Sequence, residues 1–256
     1  MSDDHLIYHV EDAVAWFTIN REKQRNAISA AAIALFMEYL DQAEADSNVR
    51  AVCVTGSGDK AFCSGGDLAG GMMDNGMDPI TAYANLIKRL AGYPKPTVAR
   101  VNGYCLAGGT GFMLACDIVI AGEAAKFGTP EVNVGLFPMM IGALIFRNVP
   151  RKKAMEMVLL GDRLTAQQAL DMGMLTRVVP VDQLDETVAA VLKTLAGKSP
   201  IGLKLGKQAF YRTADMPFEE ALDILSQELK KVIATEDARE GMTAFIEKRK
   251  PVFTGE

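Results

Sequence analysis

Short, continuously apolar segments that alternate with amphipathic ones constrain the fold of this chain more than any other feature. Residues 50–55, 97–101 and 117–121 are typical of strands that are buried on both faces. Residues 29–45 and 79–90 carry apolar side chains at helical spacing. Strands of this kind need helices against their sheet, so the alternation predicts an α/β fold.

The second half of the chain has a different character. After residue 150 one helical segment follows another, and Thr165 with Gln168 forms a capping box that predicts where one of these helices begins. The 256 residues, 49% of them hydrophobic, suffice for one large domain with a sizeable core. We therefore expect an α/β core over residues 1–200 and a helical region over residues 201–256.

Charge and hydropathy disfavour several classes of function. The chain has 27 Lys and Arg against 32 Asp and Glu, a net charge of -5, which disfavours general attraction to nucleic acid. Its longest apolar run, residues 134–146, is shorter than the roughly 20 residues that a membrane-spanning helix needs. The first residues lack the pattern of a secretory signal. We expect a cytoplasmic protein with no nucleic-acid partner and no membrane partner.

Histidine and cysteine usage narrows the chemistry further. Both histidines, His5 and His9, lie near the N-terminus, so the middle of the chain has no histidine to act as a general base. The four cysteines have neither the paired spacing of a zinc site nor the density of a disulfide framework. We expect no metal site and no Ser-His or Cys-His catalysis.

Two runs of small residues, 61–68 and 102–112, each follow a predicted buried strand. Glycines at such points let main-chain N–H groups approach a ligand closely, and these groups can bind a negatively charged oxygen. Tight turns and close packing are the simpler explanation of any single run, but the pair favours a ligand. A dinucleotide fingerprint is absent because Leu114 occupies its final glycine position, and the chain has no phosphate-binding loop.

Five motifs together resemble the crotonase superfamily, the enoyl-coenzyme A (CoA) hydratases and isomerases, over nearly the whole chain. They span residues 21–27, 61–68, 101–117, 127–131 and 241–250. The resemblance implies an α/β fold built as a crotonase-like spiral of strand-strand-helix units, followed by a C-terminal helical trimerisation region. It also implies an acyl-CoA substrate and assembly into a homotrimer or into a hexamer, a dimer of trimers.

The resemblance assigns catalytic roles to three residues. The main-chain N–H groups of Ser64 and Gly108 would hold the thioester oxygen, and Glu131 would be the catalytic acid. Deprotonation next to a thioester carbonyl places negative charge on that oxygen, and fixed N–H donors stabilise it. Gly111 stands where the family often has a second carboxylate, so only one acid is present. We expect an apolar pocket to raise the pKa of Glu131 by desolvation, with a lining formed by Val132, Val134, Leu136 and Phe137.

Coenzyme A carries phosphates, so the site needs local cations although the chain is acidic overall. The resemblance places Lys23 and Arg25 at the adenosine end, and Lys248 near a phosphate, commonly from a neighbouring subunit. An exposed helix end that complements its dipole explains Lys248 equally well. No cofactor is implied, because coenzyme A is part of the substrate. The complete set of implied substrate- and CoA-binding residues is Lys23, Arg25, Ala27, Ser64, Gly66, Asp67, Leu68, Gly108, Gly109, Phe245 and Lys248.

The number of carboxylates decides between reactions. Moving a double bond from carbon 3 to carbon 2 needs one base, whereas family members with two glutamates divide the hydration of a 2-enoyl thioester between them. We therefore expect isomerisation of 3-enoyl-CoA to 2-enoyl-CoA, with Glu131 as the base. A 2-enoyl-CoA hydratase that uses Glu131 alone, and a non-catalytic acyl-CoA-binding family member, are the alternatives.

Overall fold

Two β-sheets form the frame of the structure, a computed structural model that describes residues 5–67 and 78–256. The strands are β1 (Leu6–Glu11), β2 (Val14–Ile19), β3 (Ala51–Gly56), β4 (Ala61–Cys63), β5 (Thr97–Val101), β6 (Tyr104–Leu106), β7 (Ile118–Gly122), β8 (Lys126–Gly128), β9 (Leu164–Thr165) and β10 (Arg177–Val179). The larger sheet has the strand order β1-β2-β3-β5-β7-β10, and the smaller sheet has the order β4-β6-β8-β9. Neighbouring strands are parallel except in the pairs β1 with β2 and β8 with β9.

The chain repeatedly passes from the larger sheet to the smaller one and then to a helix. This order occurs as β3 to β4, β5 to β6 and β7 to β8, which gives the predicted strand-strand-helix units. The helices are α1 (Ala30–Ala45), α2 (Pro79–Ala91), α3 (Gly108–Leu114), α4 (Met139–Asn148), α5 (Arg151–Leu160), α6 (Ala166–Asp171), α7 (Leu184–Ala196), α8 (Pro200–Thr213), α9 (Phe218–Ile233) and α10 (Glu236–Ile246).

The structure confirms the α/β alternation and shows where the sequence pattern was too weak to read. The bounds of α1 and α2 lie within one residue of the prediction, and the Thr165 capping box begins α6 as expected. Strands β4, β6 and β8 have three residues each, too few to leave a period in the sequence. Helix α3 begins at Gly108, four residues before the apolar segment that predicted it.

A column of aromatic rings fixes α2 and α3 against the larger sheet. Phe17 of β2 stacks on Phe36 of α1 with a centroid distance of 5.5 Å, and Phe36 stacks on Phe112 of α3 at 5.3 Å. Tyr83 of α2 meets Phe112 edge-on, with centroids 5.5 Å apart. All four rings are buried. Because α3 carries the second glycine run, this column holds that run in place.

The C-terminal helices α8, α9 and α10 pack on one another. None of the residues of α9 is buried, and large apolar side chains on α9 and α10 are exposed: Phe218, Leu222, Leu229, Ile233, Phe245 and Ile246. Within the part of the chain that the structure describes, no helix has both the length and the apolarity to cross a bilayer.

Candidate active site

The two glycine runs meet at one edge of the smaller sheet. Strands β4 and β6 are parallel neighbours, so the loops that follow them leave the sheet at the same edge. A Cβ built on Gly65 of the first loop would lie 2.8 Å from the Cβ of Ala107 and 3.5 Å from the amide nitrogen of Gly108. Only a residue without a side chain allows the loops to approach this closely.

Asn26 ties the segment before α1 to the first loop. Its side chain is fully buried, and its Nδ2 donates to the carbonyl oxygens of Ser57 at 3.0 Å and Ala61 at 2.6 Å. Its Oδ1 accepts from the backbone N–H of Arg21 at 3.0 Å. Arg25 and Asn26 both adopt left-handed backbone conformations, with φ of 52° and 56°. The segment therefore turns sharply and presents its backbone to the loop.

Arg21 and Asp67 form a second tie between the same two segments. The Nη2 of Arg21 donates to the Oδ2 of Asp67 at 2.7 Å, and its Nη1 donates to the carbonyl oxygen of Ala27 at 2.6 Å. The two charged side chains are only 11% and 14% exposed. Sequence reasoning placed Asp67 and Ala27 among the CoA ligands and gave Arg21 no role. The structure shows both residues held by Arg21, a partner that no spacing in the sequence indicated.

The amide groups of the two loops are not equivalent. The N–H of Ser64 donates to the carbonyl oxygen of Arg25 at 3.2 Å, and the Ser64 hydroxyl donates to the carbonyl oxygen of Gln24 at 3.4 Å. Among the described residues, the N–H groups of Gly66 and Gly108 have no acceptor. The Gly66 nitrogen lies 3.6 Å from the position of a Cβ on Gly108. The Ser64 N–H, expected to hold the thioester oxygen, thus already has an acceptor, whereas the neighbouring amides without an acceptor among the described residues belong to Gly66 and Gly108.

Glu131 follows β8 in a short 3-10 helix, Pro130–Val134. Its Oε2 is buried without a hydrogen-bond partner among the described residues, and burial raises the pKa of the carboxyl group. A desolvated carboxylate binds a proton more readily than one in water, and this effect outweighs the hydrogen bond from the backbone of Glu131 itself. The direction of the pKa shift agrees with the prediction.

Three of the four residues predicted to line the Glu131 pocket lie at the surface of the single chain. In the single chain Val134 is 66% exposed, Leu136 is 52% exposed and Phe137 is 47% exposed, while Val132 is half-buried. The apolar run that contains them suggested an interior position, but it lies on the surface. Tyr83 of α2 is the residue near Glu131 that sequence reasoning missed: the charge on Glu131 contributes to raising the pKa of Tyr83.

The other predicted ligands lie in different places. Lys23 and Arg25 are exposed on the turn before α1, whose Arg25 carbonyl oxygen contacts the first loop. Gly109 packs against the carbonyl group of Cys63, where a side chain would clash, so close packing accounts for this glycine. Phe245 is 85% exposed on α10, and Lys248 follows that helix. Leu68 lies outside the described residues.

In the described part of the chain, cysteine and acidic side chains do not form a second cluster that could bind a metal ion. The four cysteines are buried and free, and burial raises the pKa of Cys63 to about 12, so this thiol stays protonated near neutral pH. Over residues 5–67 and 78–256, no three His, Cys, Asp or Glu side chains lie close enough together to hold a metal ion. The paired loops and Glu131 therefore form the candidate active site.

Comparison with known proteins decides the family. The family described as enoyl-CoA hydratase/isomerase matches residues 9–256. This chain belongs to the enoyl-CoA hydratase/isomerase family. Two Escherichia coli relatives of this family are 2,3-dehydroadipyl-CoA hydratase, 34% identical with 98% of both chains covered, and 1,2-epoxyphenylacetyl-CoA isomerase, 35% identical with 98% of this chain and 99% of the relative covered. The chain is thus an enzyme of the enoyl-CoA hydratase/isomerase type.

Solved structures of the family agree with the fold. An enoyl-CoA hydratase from Bacillus anthracis superimposes with a TM-score of 0.93 at 32% identity, over 98% of this chain and 100% of that one. Human enoyl-CoA hydratase domain-containing protein 3 superimposes with a TM-score of 0.92 at 30% identity, over 97% and 100%. The crotonase fold inferred from the five motifs is confirmed.

Proposed function

We propose that this chain isomerises 3-enoyl-CoA to 2-enoyl-CoA, with Glu131 as the base that moves the proton. The observation that carries this proposal is the buried Oε2 of Glu131, which has no hydrogen-bond partner among the described residues. Desolvation raises the pKa of this carboxyl group, so the carboxylate is a stronger base than an exposed glutamate and its acid form is more populated. Both properties suit a group that takes and then returns one proton.

The reaction needs no other acid. The Glu131 carboxylate removes a proton from carbon 2, and the electron pair of that bond moves to the thioester oxygen as an enolate. The protonated Glu131 then delivers the proton to carbon 4 as the enolate collapses. The double bond has moved from between carbons 3 and 4 to between carbons 2 and 3, and the carboxylate is restored.

The amides of Gly66 and Gly108 are proposed to hold the enolate oxygen. They are neighbouring N–H groups without an acceptor among the described residues, and Asn26 and Arg21 hold the loop that carries Gly66. Donors that are already oriented stabilise charge that develops during the reaction, and losing one costs about 3 to 4 kcal/mol of transition-state stabilisation. In this proposal a single chain supplies the base and both oxyanion donors.

Hydration of 2-enoyl-CoA is the second candidate, because one of the relatives is named a hydratase. One of the two Escherichia coli relatives is named a hydratase and the other an isomerase, at nearly equal identity. Hydration by this chain would require Glu131 alone to activate the water and to protonate carbon 2. The lack of a second acid at Gly111 makes isomerisation the better-supported reaction.

The discriminating experiment follows both reactions by NMR with 3-enoyl-CoA and 2-enoyl-CoA thioesters of several chain lengths. The proposal expects isomerisation by the parent enzyme and its loss in Glu131→Gln, with thioester binding retained. Glu123→Gln is the matched control, because Glu123 is exposed. Turnover of 2-enoyl-CoA alone, to the 3-hydroxy product, would establish the hydratase instead. Binding without turnover of either thioester would make the chain an acyl-CoA-binding protein.

Substrate binding and assembly complete the proposal. Lys23 and Arg25 are exposed cations beside the first loop, a suitable position for the adenosine and phosphate groups of coenzyme A. Phe245 and Lys248 are proposed to reach this ligand from a neighbouring subunit of a homotrimer or hexamer. The exposed apolar side chains of α9 and α10 support such an assembly. A cytoplasmic location remains a prediction.

A further inference from the structure

Tyr83 lies in the candidate site although neither the motifs nor the proposed reaction gave it a role. It is 7% exposed, and its hydroxyl donates to the carbonyl oxygen of Gly108 at 2.5 Å. Its ring packs edge-on against Phe112. Burial, followed by the charges of Cys63, Cys105 and Glu131, raises the pKa of Tyr83 well above its usual value. The phenol is therefore a neutral hydrogen-bond donor at every pH at which the enzyme would be assayed.

The Tyr83 hydroxyl also closes the space above Gly111. A Cβ built on Gly111 would lie 2.5 Å from the Tyr83 hydroxyl oxygen and 2.5 Å from Cγ2 of Ile141. Both neighbours are buried. Not even a methyl group fits at position 111 unless they move, so the volume beside the second loop is occupied by a phenol and a methyl group.

The same hydroxyl restrains the backbone that carries an oxyanion donor. It lies 3.3 Å from the position of a Cβ on Gly108, and it binds the carbonyl oxygen of that residue. Glycine has the widest choice of backbone conformations, so the loop depends on outside contacts to hold one of them. Ala107, the residue before, has a φ of 50° and a ψ of -126°, a conformation that an alanine adopts only under restraint.

We propose that Tyr83 is a positioning and specificity-determining residue, which orients Gly108 for the thioester oxygen and, with Ile141, excludes water from the side of the site above Gly111. A 2-enoyl thioester bound in this space meets a phenol and a methyl group where the water that attacks its carbon 3 would have to stand. The carbon skeleton can therefore only exchange protons with Glu131. This inference rests on the proposed isomerisation, because it explains why that reaction is favoured over hydration.

The test compares Tyr83→Phe with Tyr93→Phe. Tyr93 is a matched control: it is also buried, and its hydroxyl also donates to a backbone carbonyl, that of Leu40 at 2.8 Å. Each variant loses one hydroxyl and one hydrogen bond, but only Tyr83 touches the loops. For each enzyme, kcat and KM for 3-enoyl-CoA are measured together with the ratio of hydrated to isomerised product.

The proposal expects Tyr83→Phe to lower kcat for isomerisation about 5-fold with little change in KM, the effect of one lost hydrogen bond. It also expects the ratio of hydrated to isomerised product to rise about 3-fold or more, whereas Tyr93→Phe keeps the parental ratio. A purely structural role would lower the thermal stability of both variants and leave this ratio unchanged. An unchanged ratio and kcat in a folded Tyr83→Phe enzyme overturns the inference.

Ile141→Leu gives an independent answer if Tyr83→Phe does not fold. It removes the methyl group beside Gly111 at nearly constant volume and breaks no hydrogen bond. The proposal expects the same rise in the product ratio, and a parental ratio overturns it. The parent enzyme separates this inference from the proposed function: a parent that hydrates without isomerising overturns the proposed function, whereas an isomerising parent with unresponsive variants overturns only the role of Tyr83.

Discussion

The glycine loops and the C-terminal helices differ in how completely a single chain buries and hydrogen-bonds their side chains. Around the loops, Asn26, Arg21 and Tyr83 are buried or nearly so, and each bonds a backbone carbonyl. On α9 and α10 large apolar side chains face outward. The difference indicates that one chain holds the proposed oxyanion donors and the proposed base in place, whereas it leaves an apolar surface on the C-terminal helices uncovered.

The largest effect is expected from removing one loop amide. Gly66→Pro deletes the N–H proposed to bind the thioester oxygen, and kcat should fall about 100- to 1,000-fold. Gly66→Ala is the control, because no atom lies within 4 Å of the Cβ position and the backbone there is not left-handed. Steady-state kinetics should show Gly66→Ala and Ser64→Ala near the parental rate. A Gly66→Pro enzyme that is folded and fully active would remove Gly66 from the mechanism.

Removing the Arg21–Asp67 ion pair, which holds the first loop, should have the next largest effect. Arg21→Met removes a nearly buried ion pair, that between Arg21 and Asp67, which should lower the free energy of unfolding by about 3 kcal/mol. The matched control is Arg147→Met, whose ion pair with Asp215 is exposed and should contribute less than about 1 kcal/mol. Urea unfolding of both variants makes the comparison. Equal losses would mean that the loop is not held in this way.

The oligomeric state tests whether the exposed apolar face of the C-terminal helices is a subunit interface. Leu229 and Ile233 lie one helical turn apart on α9 and are both more than half exposed. Leu229→Glu/Ile233→Glu should shift the particle mass from that of an oligomer towards that of a single chain, measured by light scattering, because charges oppose burial of that face. Glu219→Gln, also on α9, is the control. A parent enzyme with the mass of one chain would contradict the proposed assembly.

A smaller and opposite effect is expected from relieving backbone strain in the second loop. Ala107 has a positive φ without being a glycine, and such strain costs about 1 to 3 kcal/mol. Ala107→Gly should therefore raise the free energy of unfolding by about 1 kcal/mol, since part of the gain is lost to the greater freedom of the unfolded chain. Chemical denaturation measures the change. A clear loss of stability would show that the alanine side chain, and not its backbone, matters there.

The smallest effect is a pH-dependent gain in stability from Glu131→Gln. Because burial raises the pKa of Glu131 in the folded chain, the stabilising contribution of its neutral form is complete below the unfolded pKa and is lost as pH rises through the folded one. The amide carries no charge, so the variant should melt at a higher temperature than the parent at neutral pH. The difference should disappear below the pKa of an ordinary glutamate, about 4.3. A variant less stable than the parent at neutral pH would contradict a desolvated carboxylate.

Sequence patterns predicted the elements that are long enough for their apolar spacing to repeat. Helices α1 and α2 span several turns, and their apolar spacing located them to within a residue. The three-residue strands of the smaller sheet have no measurable period, so only the family motifs implied them. The exposure of Val134, Leu136 and Phe137 in the single chain was not predictable for a related reason: an apolar run does not distinguish a core from an uncovered surface.

The candidate site was predictable where a single residue type carries the chemistry. Glu131 was found because one carboxylate occupies a family motif, and its raised pKa follows from burial. The exchange of Ser64 for Gly66 was not predictable, because it depends on which amide the Arg25 carbonyl already binds. The role of Tyr83 was not predictable either, since its contacts with Gly108 and Gly111 join residues 25 or more positions apart in the sequence.

The central claim is that a single desolvated carboxylate moves the proton, and titration of Glu131 tests it most directly. The carboxyl resonance can be assigned by NMR from 13C-labelled parent and Glu131→Gln proteins, and the pH profile of kcat/KM for isomerisation can be measured alongside. We expect Glu131 to titrate above the ordinary glutamate range and kcat/KM to fall with the same midpoint as the pH is lowered, because the base must be ionised. A Glu131 that titrates in the ordinary range, or a rate that does not follow its ionisation, would contradict the mechanism.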